Sequence, residues 1–140
     1  MEILQIQKII LREETKMVLI FTGNEQLDKD LSRKIKDSRV VYYPDYILEE
    51  KDAQVLIATL QPNKYDFDKF MFKVREKNMQ VILILENEKV KELKDALILG
   101  IYDIVFDPFD LEDICNKIIN PNQFSEVSKY IKEILGFETI

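Results

Sequence analysis

Five short stretches of the chain are almost entirely aliphatic or aromatic, and each is followed by a segment whose apolar residues recur at helical spacing or by a turn. A short continuous apolar run is typical of a strand that is buried on both faces. Strands of this kind, alternating with amphipathic helices, predict an α/β three-layer sandwich built on a five-stranded parallel sheet. The predicted strands are Met17–Phe21, Arg39–Tyr43, Ala53–Leu60, Met79–Leu85 and Ile101–Phe106.

Two flanks extend beyond this unit, which occupies residues 17–119. Residues 1–16 form an N-terminal arm whose apolar part, Ile3–Leu11, fits either an extra strand or a helix. Residues 120–140 begin with the turn Asn120-Pro121-Asn122 and continue with a helical stripe. Because its apolar residues lie on one side only, we expect a C-terminal amphipathic connector helix. That stripe consists of Phe124, Val127, Ile131, Ile134 and Leu135.

Composition excludes much catalytic chemistry. The 140 residues contain no histidine, so Ser-His-Asp triads, Cys-His dyads and His-ligated metals are absent from this sequence. Its single cysteine, Cys115, favours a reducing compartment, and we expect a cytoplasmic location. The net charge of −6 argues against a nucleic-acid or membrane partner. We therefore expect no enzymatic activity and no cofactor.

The carboxyl ends of parallel strands meet at one edge of such a sheet, where sites of this architecture form. Acidic residues follow the fourth and fifth predicted strands there. Carboxylate oxygens are ligands for Mg²⁺ and Ca²⁺, so Glu86 and Asp107 are weak metal candidates. A sensor of a small ligand or a divalent metal at this acidic rim is therefore an alternative function.

Residues 81–112 resemble the second half of a response-regulator receiver domain. The resemblance rests on a buried strand, an acidic loop and the run Ala96-Leu97-Ile98-Leu99-Gly100-Ile101-Tyr102-Asp103-Ile104-Val105-Phe106-Asp107-Pro108-Phe109, followed by Leu111-Glu112. It extends, more weakly, from Met17 to Ile119. It implies a flavodoxin-like fold in which Gly100, Pro108 and Phe109 are structural residues, with a cis peptide bond before Pro108.

The sequence departs from the family at each position of the phosphorylation site. In the family, an acidic pair after the first strand and an Asp after the third bind Mg²⁺, and that Asp accepts the phosphoryl group. Asn24 and Thr59 fall at these places, Leu85 replaces a Thr or Ser, and Asp107 replaces a Lys. An anion at the last position would repel a phosphoryl dianion. The resemblance therefore implies a pseudo-receiver that is not activated by Asp phosphorylation.

Several apolar residues lie off the expected core stripes and predict association. Ile98 lies about 100° around its helix from Leu97, and in receivers the face between the fourth and fifth helices commonly mediates dimers. We expect self-association as a homodimer, docking on a protein partner, or fusion to a downstream effector such as the ATPases that follow degenerate receivers in some bacterial proteins. The candidate interaction residues are Ile98, Phe72, Phe124, Val127 and Ile131.

Overall fold

A computed structural model describes residues 16–137 and contains the predicted five-stranded parallel sheet. The strand order is β2-β1-β3-β4-β5, which is the flavodoxin-like order. All four neighbouring pairs are parallel, so the strands end at a common edge. The α/β fold class is therefore confirmed. The strands are β1 (Val18–Phe21), β2 (Ser38–Val40), β3 (Val55–Thr59), β4 (Gln80–Leu85) and β5 (Asp103–Phe106).

Within residues 16–137, six helices connect or follow these strands. Three of them begin where a short polar side chain accepts a hydrogen bond from a first-turn backbone N–H, as helix N-caps do. These caps are Asn24, Asp66 and Asp110. The helices are α1 (Glu25–Lys34), α2 (Pro44–Glu49), α3 (Phe67–Glu76), α4 (Glu92–Ile98), α5 (Leu111–Ile119) and α6 (Phe124–Leu135). Within the described residues, none of them is long and apolar enough to cross a membrane.

The sheet separates two hydrophobic layers because alternate strand residues point to opposite faces. One layer packs under α1 and α5 and includes Leu31 and Ile114. The other packs under α2, α3 and α4 and includes Ile47, Met71 and Leu97. Both faces of the central strands are thus buried, as their continuous apolar runs predict.

The second strand is shorter than the run Arg39–Tyr43 predicts. It ends at Val40, and Tyr43 is instead the extended N-cap of α2, with Pro44 in the first turn. Proline suits this position because its missing N–H would be unpaired there anyway. The tyrosines after the strand therefore belong to a helix start and not to the sheet.

Gly100 and Pro108 have the backbone conformations that the family resemblance implies. Gly100 follows α4 with a φ of +79°, a left-handed conformation that favours glycine after a helix. The Asp107–Pro108 peptide bond is cis. Phe109 is half-buried and packs against the layer under α1 and α5.

Helix α6 packs against the chain's own core, which corrects one prediction. Val127 is only 4% exposed and belongs to the layer that contains Leu97 and Ile101, so the proposal that Val127 is a docking residue is wrong. Ile131 is half-buried on the same layer. The domain itself covers the middle of this stripe, whereas Phe124 and Leu135 at its two ends are exposed. Most of the predicted N-terminal arm, residues 1–15, lies outside the described residues.

Hydrogen bonds that join Asp103, Gln80, Asn122 and Tyr102, here called the Asp103 clasp, hold the turn between α5 and α6. The buried Asp103 carboxylate accepts hydrogen bonds from the backbone N–H of Asn122 at 2.6 Å and from Gln80 Nε2 at 3.0 Å. Asn122 Nδ2 also donates to the Tyr102 carbonyl oxygen at 3.0 Å. Burial raises the pKa of the Asp103 carboxyl above its ordinary value. The clasp fixes where α6 begins.

Candidate functional site

The four positions that depart from the receiver pattern line one cleft at the carboxyl edge of the sheet. Strand register brings the ends of β1, β3, β4 and β5 together: Phe21 lies beside Ala58, Thr59 beside Ile84, and Leu85 beside Phe106. The loops that follow these strands enclose a cleft of about 640 Å³. Its walls include Asn24, Thr59, Leu85 and Asp107, together with Glu86 and Phe109. The structure therefore brings these sequence-selected residues to one place.

The hydroxyl group of Thr59, which the family resemblance puts at the phospho-acceptor position, already makes a hydrogen bond within the chain. Thr59 Oγ1 donates to the Thr22 carbonyl oxygen at 2.6 Å. The Thr59 carbonyl oxygen accepts from the Tyr65 hydroxyl at 2.7 Å. A threonine held in this way ties the end of β3 to the end of β1. It provides neither the carboxylate that accepts a phosphoryl group in receivers nor a ligand charge for Mg²⁺.

Asp28 is a buried acid near this cleft that the sequence analysis did not select. Its Oδ1 accepts a 2.5 Å hydrogen bond from Thr22 Oγ1, and the residue is 5% exposed. Burial raises the pKa of the Asp28 carboxyl, while the hydrogen bond from Thr22 and the charge of Lys64 act in the opposite direction. The sequence did contain a signal that Asp28 is buried, because it precedes the core residue Leu31 by three positions and therefore lies on the same helix face.

Gln61 closes the loop beside Gly23. Its Nε2 donates to the Phe21 carbonyl oxygen at 3.1 Å. Gly23 has a φ of +70°, and a Cβ atom added there would lie 2.7 Å from Gln61 Oε1. The close approach of this side chain therefore depends on glycine at position 23. No periodic pattern marks Gln61, so sequence reasoning had no means of selecting it.

The weak metal candidates are placed at the rim of the cleft. Glu86 and Asp107 both line it, and both are exposed. Across residues 16–137, no group of three or more His, Cys, Asp or Glu side chains could hold a metal ion. Ca²⁺ takes about six to eight oxygen ligands, and Mg²⁺ requires near-octahedral coordination. Two carboxylates leave most of those positions to water.

The remaining candidate interaction residues lie on three helices. Ile98 at the end of α4 is 68% exposed, Phe72 on α3 is 54% exposed, and Phe124 at the start of α6 is 55% exposed. Phe124 also makes an edge-to-face contact with Tyr102, with 6.0 Å between the ring centroids. Ile98 thus presents the largest exposed fraction of the three. Its role in association stays a prediction.

Comparison with known proteins relies on structure, because no protein-family model and no curated protein matches the sequence. Among solved structures, the chain is similar to the response regulator DrrB of Thermotoga maritima, an OmpR/PhoB homologue, with a TM-score of 0.65 and 15% identity. The match covers 81% of this chain and 54% of DrrB, so this chain spans about half of that protein.

Two further structures give the same result. A CheY-like receiver-domain protein of Methanospirillum hungatei matches with a TM-score of 0.63 and 12% identity, covering 84% of this chain and 98% of that one. A Burkholderia pseudomallei response regulator, solved with a phosphorylated aspartic acid, calcium and citrate, matches with a TM-score of 0.65 and 15% identity, over 81% and 71% of the two chains. The protein is an α/β protein of the flavodoxin-like class. Within that class it has the fold of response-regulator receiver domains.

Proposed function

We propose that this protein is a regulatory module with the receiver fold that works without Asp phosphorylation. The observation behind the proposal is the cleft itself, whose walls contain Asn24, Thr59 and Leu85 where receivers place a metal ligand, the phospho-acceptor and a hydroxyl residue. The resemblance puts Asp107 at the position where receivers carry a Lys. Among the described residues that line the cleft, a phosphoryl group would meet the Glu86 and Asp107 carboxylates and no Lys or Arg.

Incubation with acetyl phosphate and Mg²⁺, followed by intact-mass analysis, tests this proposal. We expect no gain of a phosphoryl group, under conditions in which an active receiver domain used as the positive control gains one. A labile adduct on an aspartate or on Thr59 would overturn the proposal. Loss of the adduct after hydroxylamine treatment identifies an acyl phosphate and thus separates the aspartates from Thr59.

The output of such a module is a contact with another protein, either a second copy of the chain or a partner or fused effector such as an ATPase. The exposed Ile98 supports this part of the proposal. Its side chain is 68% exposed, and covering a large aliphatic side chain lowers the free energy of the system. Phe72 and Phe124, which are 54% and 55% exposed, are further candidates. Val127 is not, because the chain's own core buries it.

Light scattering at rising protein concentration tests self-association. We expect a mass of about twice that of the chain, which is 16.6 kDa. Ile98→Glu lowers it, whereas the control Ser32→Glu, at an exposed position of α1 on the opposite side of the sheet, leaves it unchanged. A monomer at every concentration would remove the homodimer and leave the contact to a different protein.

A second function, the sensing of a small ligand, is supported by the size of the cleft. Its 640 Å³ lies within the range of about 300–1,000 Å³ that is usual for ligand sites. Its position outside the carboxyl ends of the strands is also the usual place for ligands in sheets of this order. This function is compatible with the first, since a bound ligand would replace phosphorylation as the signal.

A further inference from the structure

The walls of the cleft have a composition that selects one class of ligand. Leu27, Leu60, Val90 and Phe109 are half-buried, so each still presents apolar surface to the opening. Below them lie Ile84 and Leu85, which are 7% and 2% exposed. A ligand that enters the cleft can therefore contact a patch of hydrocarbon, and covering an aliphatic group there lowers the free energy in proportion to the apolar area removed from water.

The rim of the same cleft is negatively charged. Glu86 and Asp107 are its charged lining residues, and no Lys or Arg is among those that line it. Neither side chain has a hydrogen-bond or ion-pair partner in the part of the chain that the structure describes. Lys89 and Lys91 flank the wall residue Val90 in the chain but are not among the described residues that line the cleft. The unpaired carboxylates disfavour an anionic ligand and favour a cationic one.

The hydrogen-bonding groups inside the cleft do not compete for that charge. Thr22 and Thr59 direct their hydroxyl protons to Asp28 and to the Thr22 carbonyl oxygen. Both hydroxyl groups thus already donate a hydrogen bond. The charged acceptors that remain for a ligand are the carboxylates of Glu86 and Asp107 at the rim. Phe109 adds an aromatic ring, whose face attracts a cation.

We propose that this cleft binds an organic monocation, an ammonium group on an aliphatic stem, with the stem against Leu27, Leu60 and Val90 and the charge at Asp107 and Glu86. A metal ion is a poorer occupant because it needs more oxygen ligands than two carboxylates supply. The proposal rests on the ligand-sensing form of the proposed function. It fails separately from the main proposal, since phosphorylation and binding are measured by different assays.

Calorimetric titration and amide chemical shifts test the site with three probes of one size. We expect protonated hexylamine to bind and to shift the amide signals of Thr22, Thr59, Leu60 and Asp107, with hexanol binding more weakly and hexanoate not detectably. Equal binding of hexanol and hexylamine would overturn the cation preference. Shifts confined to another surface would overturn the location.

Matched variants separate the cleft from the general negative charge of the protein. Asp107→Asn and Glu86→Gln are each expected to weaken hexylamine binding about three- to ten-fold. Glu76→Gln, an exposed acid at the opposite end of α3, makes the same change in net charge and is expected to leave the affinity unaltered. Equal weakening by Glu76→Gln would mean that the ammonium is held by overall charge, which overturns the site.

A fourth probe identifies the source of the ammonium group. N-acetyl-lysine methylamide carries the same charge on a similar stem, within a peptide backbone. Tighter binding of this probe than of hexylamine assigns the cation to a lysine side chain of a partner protein, and weaker binding assigns it to a free amine. Either result supports the cleft as a cation site, while failure of both probes to bind overturns it.

Discussion

The hydroxyl group of Thr22 donates a 2.5 Å hydrogen bond to the carboxylate of Asp28, six residues away and in the first turns of α1. Both residues are 5% exposed. The carbonyl oxygen of the same Thr22 accepts the Thr59 hydroxyl. Thr22 therefore links β1 to α1 on one side and to β3 on the other, directly beneath the cleft in which receivers perform their chemistry.

Replacement of Thr22 by Val tests the strength of this link. The substitution keeps the shape of the side chain but leaves the buried Asp28 carboxylate without its hydroxyl donor, so we expect a loss of about 1–3 kcal/mol in the free energy of unfolding. Thr22→Ser, which keeps the hydroxyl, should lose less. Urea denaturation measures both, with Ser32→Ala on the exposed face of α1 as a control within about 0.5 kcal/mol of the parent.

The pH dependence of stability should reveal the cost of the buried Asp28. Its pKa is raised in the folded protein, mainly by burial, so at a pH between the unfolded and folded values the folded state binds more protons than the unfolded state. The free energy of unfolding therefore increases as the pH falls through the folded pKa, because the buried carboxyl becomes neutral. The cost of ionisation is fully present at neutral pH.

Comparison with Asp28→Asn isolates this effect. As the pH falls from about 7 toward about 4, we expect the parent protein to gain stability relative to Asp28→Asn, measured by urea denaturation at each pH. Glu76→Gln, at an exposed position, serves as the matched control and should follow the parent. A parent protein that instead loses stability relative to Asp28→Asn would show that hydrogen bonding to Thr22 outweighs burial.

The sheet and most helix ends could be predicted from the sequence because they depend on local patterns. Buried strands read as continuous apolar runs, Asn24 marks a helix start, and Gly100 marks a helix end. The contacts under the cleft are not local in this sense. Gln61 reaches the Phe21 carbonyl oxygen across 40 positions of the chain, and only the strand register brings the two together.

The C-terminal helix shows a second limit of sequence reasoning. Its apolar stripe predicted its extent and the side on which Val127 is buried, although Phe124 and Leu135 at the ends of the stripe are exposed. The stripe itself does not say which surface it covers, because a partner molecule and the chain's own sheet offer the same kind of apolar contact. The clasp between Asp103 and Asn122, which directs the helix back onto the domain, joins residues 19 positions apart and has no periodic signature.

Removal of the Asp103 carboxylate should loosen this helix. Asp103→Ala leaves the Asn122 N–H without its acceptor, whereas Gln80 Nε2 keeps its hydrogen bond to the Lys117 carbonyl oxygen at 2.8 Å. We expect a loss of about 1.5–3 kcal/mol in stability. Hydrogen exchange should quicken most at the amides of residues 122–134, with less change in β1 and β3. Asp113→Ala, at an exposed acid on α5, is the control. Uniform quickening across the sheet would mean that the clasp supports the whole fold and not α6 in particular.

Glycine at position 23 should matter more than glycine at position 100, although both have a positive φ. Alanine costs about 1–2 kcal/mol at either position through the backbone alone. At Gly23 the new Cβ would also meet Gln61 Oε1 at 2.7 Å and displace the side chain from Phe21. At Gly100 the nearest atom is Arg75 Nη2, at 3.4 Å.

We therefore expect Gly23→Ala to lower the free energy of unfolding by about 1 kcal/mol more than Gly100→Ala. In a Gln61→Ala background this excess should disappear, since the displaced side chain is gone. The measurement is thermal or urea denaturation of Gly23→Ala and Gly100→Ala, each made in the parent protein and in Gln61→Ala. An excess that persists without Gln61 would place the cost in the backbone at position 23.

We expect that a carboxylate introduced at position 59 does not by itself allow phosphorylation. In Thr59→Asp the new side chain would lie in a cleft with no second metal carboxylate at Asn24 and with the Asp107 anion beside it. Phosphoryl transfer to an aspartate needs Mg²⁺ and a cation on the phosphoryl oxygens. We expect no labile adduct from acetyl phosphate in Thr59→Asp, after circular dichroism has confirmed that the variant is folded. An adduct in this variant would show that neither Asn24 nor Asp107 blocks the reaction and that the side chain at position 59 alone decides it.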